Sequence, residues 1–401
     1  MQRYIGMKIV ILVRILWSAG TQKTAIKGAI ELTEMGHDVE LIFLRKGRSS
    51  FIYEPMLKGL KYRIINQDGH KTSFFTPLYT FITSIYAHSF FAPKDLKREV
   101  RIDYDLLRKF PKFVESDKPD KVICHDEYAG IGGYLALKKL GIPYDLFLHE
   151  HLIRWNPILS VLFDRTRKRV LFNAKRIYVE TRRVGDDTEL RTGLNCILNP
   201  IGFESFDIIP SNQRKKRIVS IYTIANQRVM LDINGNDNSN NFDLRYWFPN
   251  FLVQLEKYLP DYEFVIIAGI KSTQKYKEIV DDLGKLDSKV KIYSNLSEPE
   301  KLELLKESKY LLRFGINEYG PGMSNIEAIS CGVPVIVNKD IGISDLITKS
   351  KAGLVLDAVS VKLVADSVKS IDDQSYESLV ERVVELRESW TWKDHSRILL
   401  G

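Results

Sequence analysis

Short hydrophobic segments alternate with longer amphipathic segments along the whole chain. The short segments are rich in Val, Ile, Leu and aromatic residues, which favours buried strands, and the segments between them have the spacing of helices. In the first half, the candidate strands are MKIVILV from Met7, HDVELIFL from His37, KVICH from Lys121, YDLFLH from Tyr144, RIYVE from Arg176 and NCILN from Asn195. In the second half, they are RIVSIY from Arg217, EFVIIAG from Glu263, KVKIYS from Lys289, YLLRFG from Tyr310, PVIVN from Pro334 and GLVL from Gly353. This alternation predicts an α/β fold with parallel sheets.

Turn-forming and charged residues separate the two sets of strands, in NPIGFESFDIIPSNQRKK from Asn199. We therefore predict two Rossmann-like, doubly wound domains over residues 1–200 and 201–375, followed by a helical segment over residues 376–401. Open α/β sheets bind ligands beyond the carboxyl ends of their strands. Two such sheets facing each other would form one ligand cleft, so we expect a site built from both halves.

Charge is distributed unevenly between the two halves. Residues 1–200 contain 33 Lys+Arg and 22 Asp+Glu (+11), whereas residues 201–401 contain 26 and 29 (−3). A basic first half favours anionic phosphates or an acidic membrane surface, although a solvated basic face gives the same composition. No apolar run reaches the roughly 18 to 20 residues that span a bilayer, and the three cysteines form no CxxC pair. We expect a cytoplasmic protein, peripheral to the membrane at most, with no nucleic-acid partner.

The strongest signals of ligand binding lie in EYGPGMSNIEAISCGVP, which runs from Glu318 to Pro334. A turn rich in Gly and Pro leads from a predicted strand into a helix that starts near Ser324. The free amides and positive dipole end of such a helix suit a diphosphate, and Glu327 can accept hydrogen bonds from ribose hydroxyls. The alternative is a capping box, in which Ser324 and Glu327 satisfy backbone donors of the helix.

The wider segment resembles the donor-binding signature of glycosyltransferase family four, whose members have the GT-B fold. Glu327 is followed by Ala328 and then by Cys331-Gly332-Val333-Pro334-Val335, in the order of that signature. The family separates its two acids by seven residues, whereas eight residues separate Glu318 from Glu327, which we interpret as a one-residue bulge. The resemblance continues upstream, where Asn199-Pro200-Ile201-Gly202 is similar to the turn that closes the family's first domain.

This resemblance implies a role for each candidate site residue. Glu318 would contact hydroxyls of the donor sugar, and His149, after the strand YDLFL, would touch the transferred sugar or the acceptor. An arginine and a lysine normally bind the leaving diphosphate from a loop of the second domain; Arg228 is our candidate arginine, and no lysine occupies the expected position. The implied catalytic residues are therefore His149, Glu318 and Arg228. The implied donor-binding residues are Gly20, Arg228, Lys271, Gly322, Met323, Ser324, Asn325, Ile326 and Glu327, with Arg245 as a lesser candidate.

The resemblance further implies a retaining reaction that uses a nucleotide sugar and needs no metal or other cofactor. The residues near the C-terminus would cross back to the first domain. We expect a glycan or a polyprenyl-linked acceptor, and an anionic membrane surface is a further candidate partner. A sugar-nucleotide epimerase and a catalytically silent sugar-nucleotide-binding protein are the alternatives.

Other segments allow two interpretations each. His125-Asp126-Glu127 either lines the acceptor side or lies in a solvated loop, and Gly130-Ile131-Gly132-Gly133 is either part of a dinucleotide fingerprint or a helix-packing surface. The aromatic stretch Ser73–Phe91 and the basic cluster of Arg165, Arg167, Lys168 and Arg169 suit a membrane interface or, alternatively, burial and solvation.

Overall fold

A computed structural model describes the fold of most of the chain. It describes residues 6–17, 19–47, 50–66, 74–75, 94–150, 152, 166–224, 244–270, 277–278, 280–281, 289–294, 296–315 and 318–401, without the side chains of 94–100, 222–224, 244–250 and 270. Backbone contacts divide the chain into two compact units. Unit 1 comprises Met1–Ile201 and Trp392–Gly401, and unit 2 comprises Gly202–Thr391.

Unit 1 is built on a parallel sheet with the strand order β3-β2-β1-β4-β5-β6-β7. The strands are β1 (Lys8–Leu16), β2 (Asp38–Lys46), β3 (Lys61–Asn66), β4 (Lys121–His125), β5 (Tyr144–Leu148), β6 (Ile177–Val179) and β7 (Ile197–Leu198). All six strands predicted for this half are present. β3 was not predicted, because KYRIIN begins with exposed polar residues and lies at the sheet edge, where charged side chains are common.

The helices of unit 1 pack on both faces of this sheet. They include α1 (Gly20–Glu34), α2 (Lys94–Val114), α3 (Glu127–Leu140) and α4 (Arg182–Thr192), and residues 166–173 are also helical. α3 lies very close to the strands, since a Cβ atom added to Gly130 or Gly132 would come within 2.5 Å of Leu146 Cδ2 or 2.7 Å of Leu12 Cδ2. These glycines lie inside the helix and not at a strand-to-helix turn, which supports the packing interpretation and excludes the dinucleotide fingerprint.

Unit 2 contains a second parallel sheet, with the strand order β10-β9-β8-β11-β12-β13. Its strands are β8 (Lys215–Ile224), β9 (Glu263–Ile270), β10 (Lys291–Ser294), β11 (Ser308–Arg313), β12 (Val335–Asn338) and β13 (Gly353–Leu356). Its helices include α5 (Leu244–Tyr258), α6 (Glu298–Lys306), α7 (Met323–Ser330), α8 (Ser344–Ser350), α9 (Val361–Lys369) and α10 (Asp373–Ser389). Two Rossmann-like units with parallel sheets confirm the predicted GT-B class.

The segment predicted over residues 376–401 is two helices that belong to different units. α10 contributes Tyr376 and Leu379 to the hydrophobic core of unit 2. The following helix, α11 (Trp392–Leu400), is part of unit 1, where Leu399 is fully buried and Tyr178 donates a hydrogen bond to Ile398 O at 3.1 Å. Across the described ranges, no helix combines the length and hydrophobicity needed to cross a bilayer.

Candidate functional site

In unit 2, a tight turn leads into α7 near the carboxyl end of β11. Gly322 is the residue before the helix and has a φ of +70°, a conformation that costs glycine little. Asn325 fixes the turn, because its backbone N–H donates to Gly322 O and its side-chain amide donates to Pro321 O, both at 2.9 Å. The amides of Met323 and Ser324 lie in the first turn, where no carbonyl of the helix can accept their hydrogen bonds. This end of α7 is therefore suited to an anion.

The capping-box alternative is excluded by this geometry. Gly322 occupies the capping position and makes no side-chain capping bond, and Ser324 is the second residue inside the helix. Glu327 points instead to α6, where Lys301 Nζ lies 2.9 Å from Glu327 Oε1 and 2.8 Å from Glu298 Oε1. The Glu327 side chain is 9% exposed, so it is a buried carboxylate held by a cation from the neighbouring helix.

Glu318 is held by a cation as well. Arg313, the last residue of β11, places Nη2 2.8 Å from Oε1 and 2.9 Å from Oε2 of Glu318. The Glu318 carbonyl accepts a hydrogen bond from Gly342 N at 2.9 Å, which fixes the backbone. A Cβ added to Gly322 would lie 3.3 Å from Glu318 Oε1, so the carboxylate adjoins the start of α7. The one-residue bulge predicted between Glu318 and Glu327 stays a prediction.

In unit 1, three polar side chains meet at the carboxyl ends of neighbouring strands. His125 ends β4, His149 follows β5 and Glu180 follows β6. His149 Nδ1 contacts Glu180 Oε1, and His149 Nε2 lies 2.9 Å from His125 Nδ1. Because a carboxylate only accepts, His149 Nδ1 donates to Glu180, and His149 Nε2 shares one hydrogen bond with His125 Nδ1. Both ring nitrogens of His149 are thus engaged within unit 1, and the residue is 7% exposed.

Burial keeps the neighbouring histidines neutral. It lowers the pKa of His125 well below the ordinary value, with the nearby His149 and His395 acting in the same direction. Burial also lowers the pKa of His395, on α11, to about 4, and its Nδ1 donates to Pro200 O at 2.8 Å. The three histidines and Glu180 form what we call the imidazole cluster.

The solvated-loop interpretation of residues 125–127 is wrong. Asp126 caps α3 by accepting a hydrogen bond from Ala129 N at 2.7 Å, and Glu127 begins that helix. Glu127 Oε2 lies 2.8 Å from Nε of Arg167, which is itself buried. Burial raises the pKa of both Asp126 and Glu127, and nearby arginines oppose this effect. The segment is part of the fold beside the imidazole cluster.

The structure locates some of the other predicted residues and does not describe the rest. Gly20 is the first residue of α1, directly beyond β1, so it lies at the same sheet edge as His149. Arg228 and Lys271 lie outside the described residues, and so does the side chain of Arg245. Of the aromatic stretch, Phe74 and Phe75 are described, and both are exposed. Among the residues that the structure describes, no three His, Cys, Asp or Glu side chains are grouped as a metal site requires.

Comparison with known families agrees with this arrangement. The model for "Glycosyl transferases group 1" matches residues 251–389, and the model for "Glycosyltransferase Family 4" matches residues 19–197. The two matches lie in opposite halves and together cover most of the chain. The chain belongs to the group 1 glycosyltransferases.

Solved structures share the fold of this glycosyltransferase at low sequence identity. HepE from Anabaena, in complex with UDP and glucose, is 12% identical over 98% of each chain, with a TM-score of 0.67. A glycosyltransferase from Rickettsia africae is 13% identical over 99% of this chain and 97% of its own, with a TM-score of 0.69. Sucrose-phosphate synthase from Thermosynechococcus elongatus is 14% identical over 98% of this chain and 96% of its own, with a TM-score of 0.67. No curated protein sequence matches the glycosyltransferase.

Three residues that contact the predicted site of the glycosyltransferase were missed in the sequence. Glu180 ends the predicted strand RIYVE, just as His149 follows the predicted strand YDLFL. A carboxylate at the end of a predicted strand was the signal that could have identified Glu180 as a site residue. Arg313 is a charged residue within the hydrophobic segment YLLRFG, which was a similar signal. Lys301 lies in an ordinary charged helix, and nothing in its local sequence distinguishes it.

Proposed function

We propose that this glycosyltransferase transfers a hexosyl group from a nucleotide sugar, with retention at the anomeric carbon, to a glycan or lipid-linked acceptor. Unit 2 would bind the donor and unit 1 the acceptor. One observation carries the proposal: the Glu318 carboxylate adjoins the start of α7 and Glu327 lies one turn into it, each held by a cation. HepE, which has the same fold, was solved with UDP-glucose. This supports uracil as the base of the donor nucleotide.

Each donor group has a matching partner in this segment. The diphosphate would accept hydrogen bonds from the first amides of α7, at Met323 and Ser324, and be favoured by the helix dipole. Glu327 would accept hydrogen bonds from the ribose hydroxyls, and Glu318 from hydroxyls of the sugar. Arg313 and Lys301 would then act as positioning residues, because each fixes the direction in which its carboxylate points.

The reaction would need no nucleophile from the protein. The bond between the anomeric carbon and the diphosphate oxygen breaks, and the acceptor oxygen bonds to the same carbon on the same face. The acceptor's proton passes to the departing diphosphate, so the products are a glycoside and a nucleoside diphosphate. Charge that accumulates on the leaving group would be stabilised by the amides of α7 and, in our proposal, by Arg228 and Lys271. Such stabilisation contributes about 3 kcal/mol for each donor group in other enzymes.

His149 would contact the transferred sugar from unit 1. Its Nδ1 is engaged by Glu180, so the nitrogen available for exchange is Nε2, which lies 2.9 Å from His125 Nδ1. We propose that a sugar hydroxyl donates to Nε2 in place of His125. Glu180 would keep the ring in the required tautomer throughout, as a carboxylate partner does for histidines in other active sites.

A panel of UDP-, GDP- and ADP-sugars tests the proposal when nucleotide release is followed with and without lipid extract. We expect one donor to release its nucleotide only when acceptor is present, with unchanged rates in EDTA. NMR of the first product should show the anomeric configuration of the donor sugar. Tight donor binding without turnover for any pair would refute the transferase proposal, and sugar isomerisation without an acceptor would favour the epimerase.

A further inference from the structure

A basic cavity lies between α2, α3 and the helical residues 166–173 of unit 1. Its volume is about 550 Å³, within the range of sites for small molecules. Five cationic side chains line it. They are Arg108, Lys109, Lys112, Lys139 and Arg169. We call it the α2–α3 cavity.

The cavity is separate from the imidazole cluster. α3 begins beside His125, at the carboxyl edge of the sheet, and the residues it contributes to the cavity run from Ile131 to Lys139, towards its other end. The residues from α2 run from Tyr104 to Lys112, also near the end of that helix that precedes β4. The cavity therefore lies on the helical face of the unit, displaced towards the amino edge of the strands.

The charge of the cavity is strongly one-sided. Among the described residues that line it, one is acidic: Asp105, which is buried and lies 2.7 Å from Lys109 Nζ. Arg108 and Lys112 are one turn apart on α2, a spacing at which like charges destabilise a helix. The helix dipole accounts for Lys112 and Lys139 individually, since each lies in the last turn of its helix. It does not account for cations from three separate helical segments converging on one concavity.

The remaining lining defines the type of ligand. Ile131, Leu135 and Val170 supply apolar surface, and Tyr104 and Tyr134 supply aromatic rings. The guanidinium group of an arginine can donate two parallel hydrogen bonds to the oxygens of one phosphate, and the ammonium group of a lysine attracts the phosphate by its positive charge. A concavity of this size accommodates a phosphate or diphosphate group and a short apolar portion.

We propose that the α2–α3 cavity is a second binding site of this enzyme, for a ligand that carries a phosphate or diphosphate group. The ligand is either a soluble phosphate compound or the headgroup of an anionic lipid. The site is distinct from the proposed donor site in unit 2, and its occupation does not depend on turnover.

The test uses the full chain with two probes, inorganic pyrophosphate and vesicles of phosphatidylglycerol in phosphatidylcholine. The cavity variant is Lys139→Gln with Arg169→Gln, and the control is Lys58→Gln with Lys175→Gln. All four side chains are exposed, both variants remove two charges from the same unit, and the control residues do not line the cavity. Both variants should therefore fold.

We expect the cavity variant to bind one probe at least tenfold more weakly than the wild type, and the control to stay within twofold. Hydrogen–deuterium exchange should show protection by the bound probe in peptides covering residues 104–112 and 131–139, which separates this site from pyrophosphate bound at α7. Weaker binding of pyrophosphate by the cavity variant indicates a soluble ligand. Weaker binding of anionic vesicles alone indicates a lipid headgroup. Equal losses in both variants, protection confined to α7, or no binding of either probe would overturn the proposal.

Discussion

The acidic residues of unit 2 and the imidazole cluster of unit 1 show two ways to fix polar side chains at the edge of a parallel sheet. In unit 2, Glu318 and Glu327 each pair with a cation, Arg313 or Lys301. In unit 1, His149 bonds to His125 and to Glu180, and burial keeps His125 and His395 neutral. The first arrangement is held by ion pairs, and the second by hydrogen bonds among buried groups that include a neutral histidine. They should therefore respond differently to charge-removing substitutions and to acid.

The largest effect should follow the loss of charge at Glu318. Glu318→Gln leaves Arg313 without its carboxylate and weakens the proposed contact with the sugar hydroxyls. We expect kcat/KM to fall by at least 100-fold, about 3 kcal/mol of transition-state stabilisation. Glu303→Gln on α6 is the matched control, since Glu303 is exposed and pairs with Lys306 at 2.9 Å. If both variants keep activity within twofold of the wild type, Glu318 has no part in the site.

Acid should act on unit 1 through His395. Its pKa is lowered to about 4 in the folded protein, whereas the unfolded chain titrates near 6.5. The unfolded state therefore binds more protons than the folded state between these pH values. The contribution of His395 to the unfolding free energy is fully present above about pH 6.5 and is lost as the pH decreases towards 4. The loss from this residue is on the order of 3 kcal/mol.

His395→Asn isolates this contribution, because the asparagine amide can still donate to Pro200 O. Denaturation by urea at several pH values should show a smaller decrease in stability with acid for the variant than for the wild type, whatever their difference at neutral pH. Parallel pH dependences for the two proteins would show that His395 does not titrate as described.

A smaller effect should follow the loss of a positioning cation. Lys301→Met removes the partner of Glu327 and leaves the carboxylate buried, so we expect donor KM to rise about tenfold while kcat changes little. Lys301→Arg should restore most of the affinity because it restores the cation. A purely structural role for Lys301 would lower thermal stability in the Met variant and leave donor KM unchanged.

The sequence predicted the elements of the fold well, because buried strands have a local hydrophobic pattern. β3 is the exception, since an edge strand with polar residues lacks that pattern. The turn from Gly322 to Glu327 could also be located, because its glycine, helix start and acid lie within one short segment.

The partners of the site residues could not be predicted in the same way. Lys301 lies 26 residues before Glu327, and Glu180 lies 31 residues after His149. Each pair meets because of strand order and helix packing, which no local periodicity encodes. The sequence indicated His149 at a strand end, and the structure shows that both its ring nitrogens are already engaged.

The position of α11 has a consequence for how the protein is made. Residues 392–401 belong to unit 1, where Leu399 completes the core beside α1 and β1, yet they are synthesised after all of unit 2. On the ribosome, unit 2 can therefore finish folding while unit 1, begun first, still lacks part of its core. We expect unit 1, although it is synthesised first, to complete its core only after these ten residues emerge.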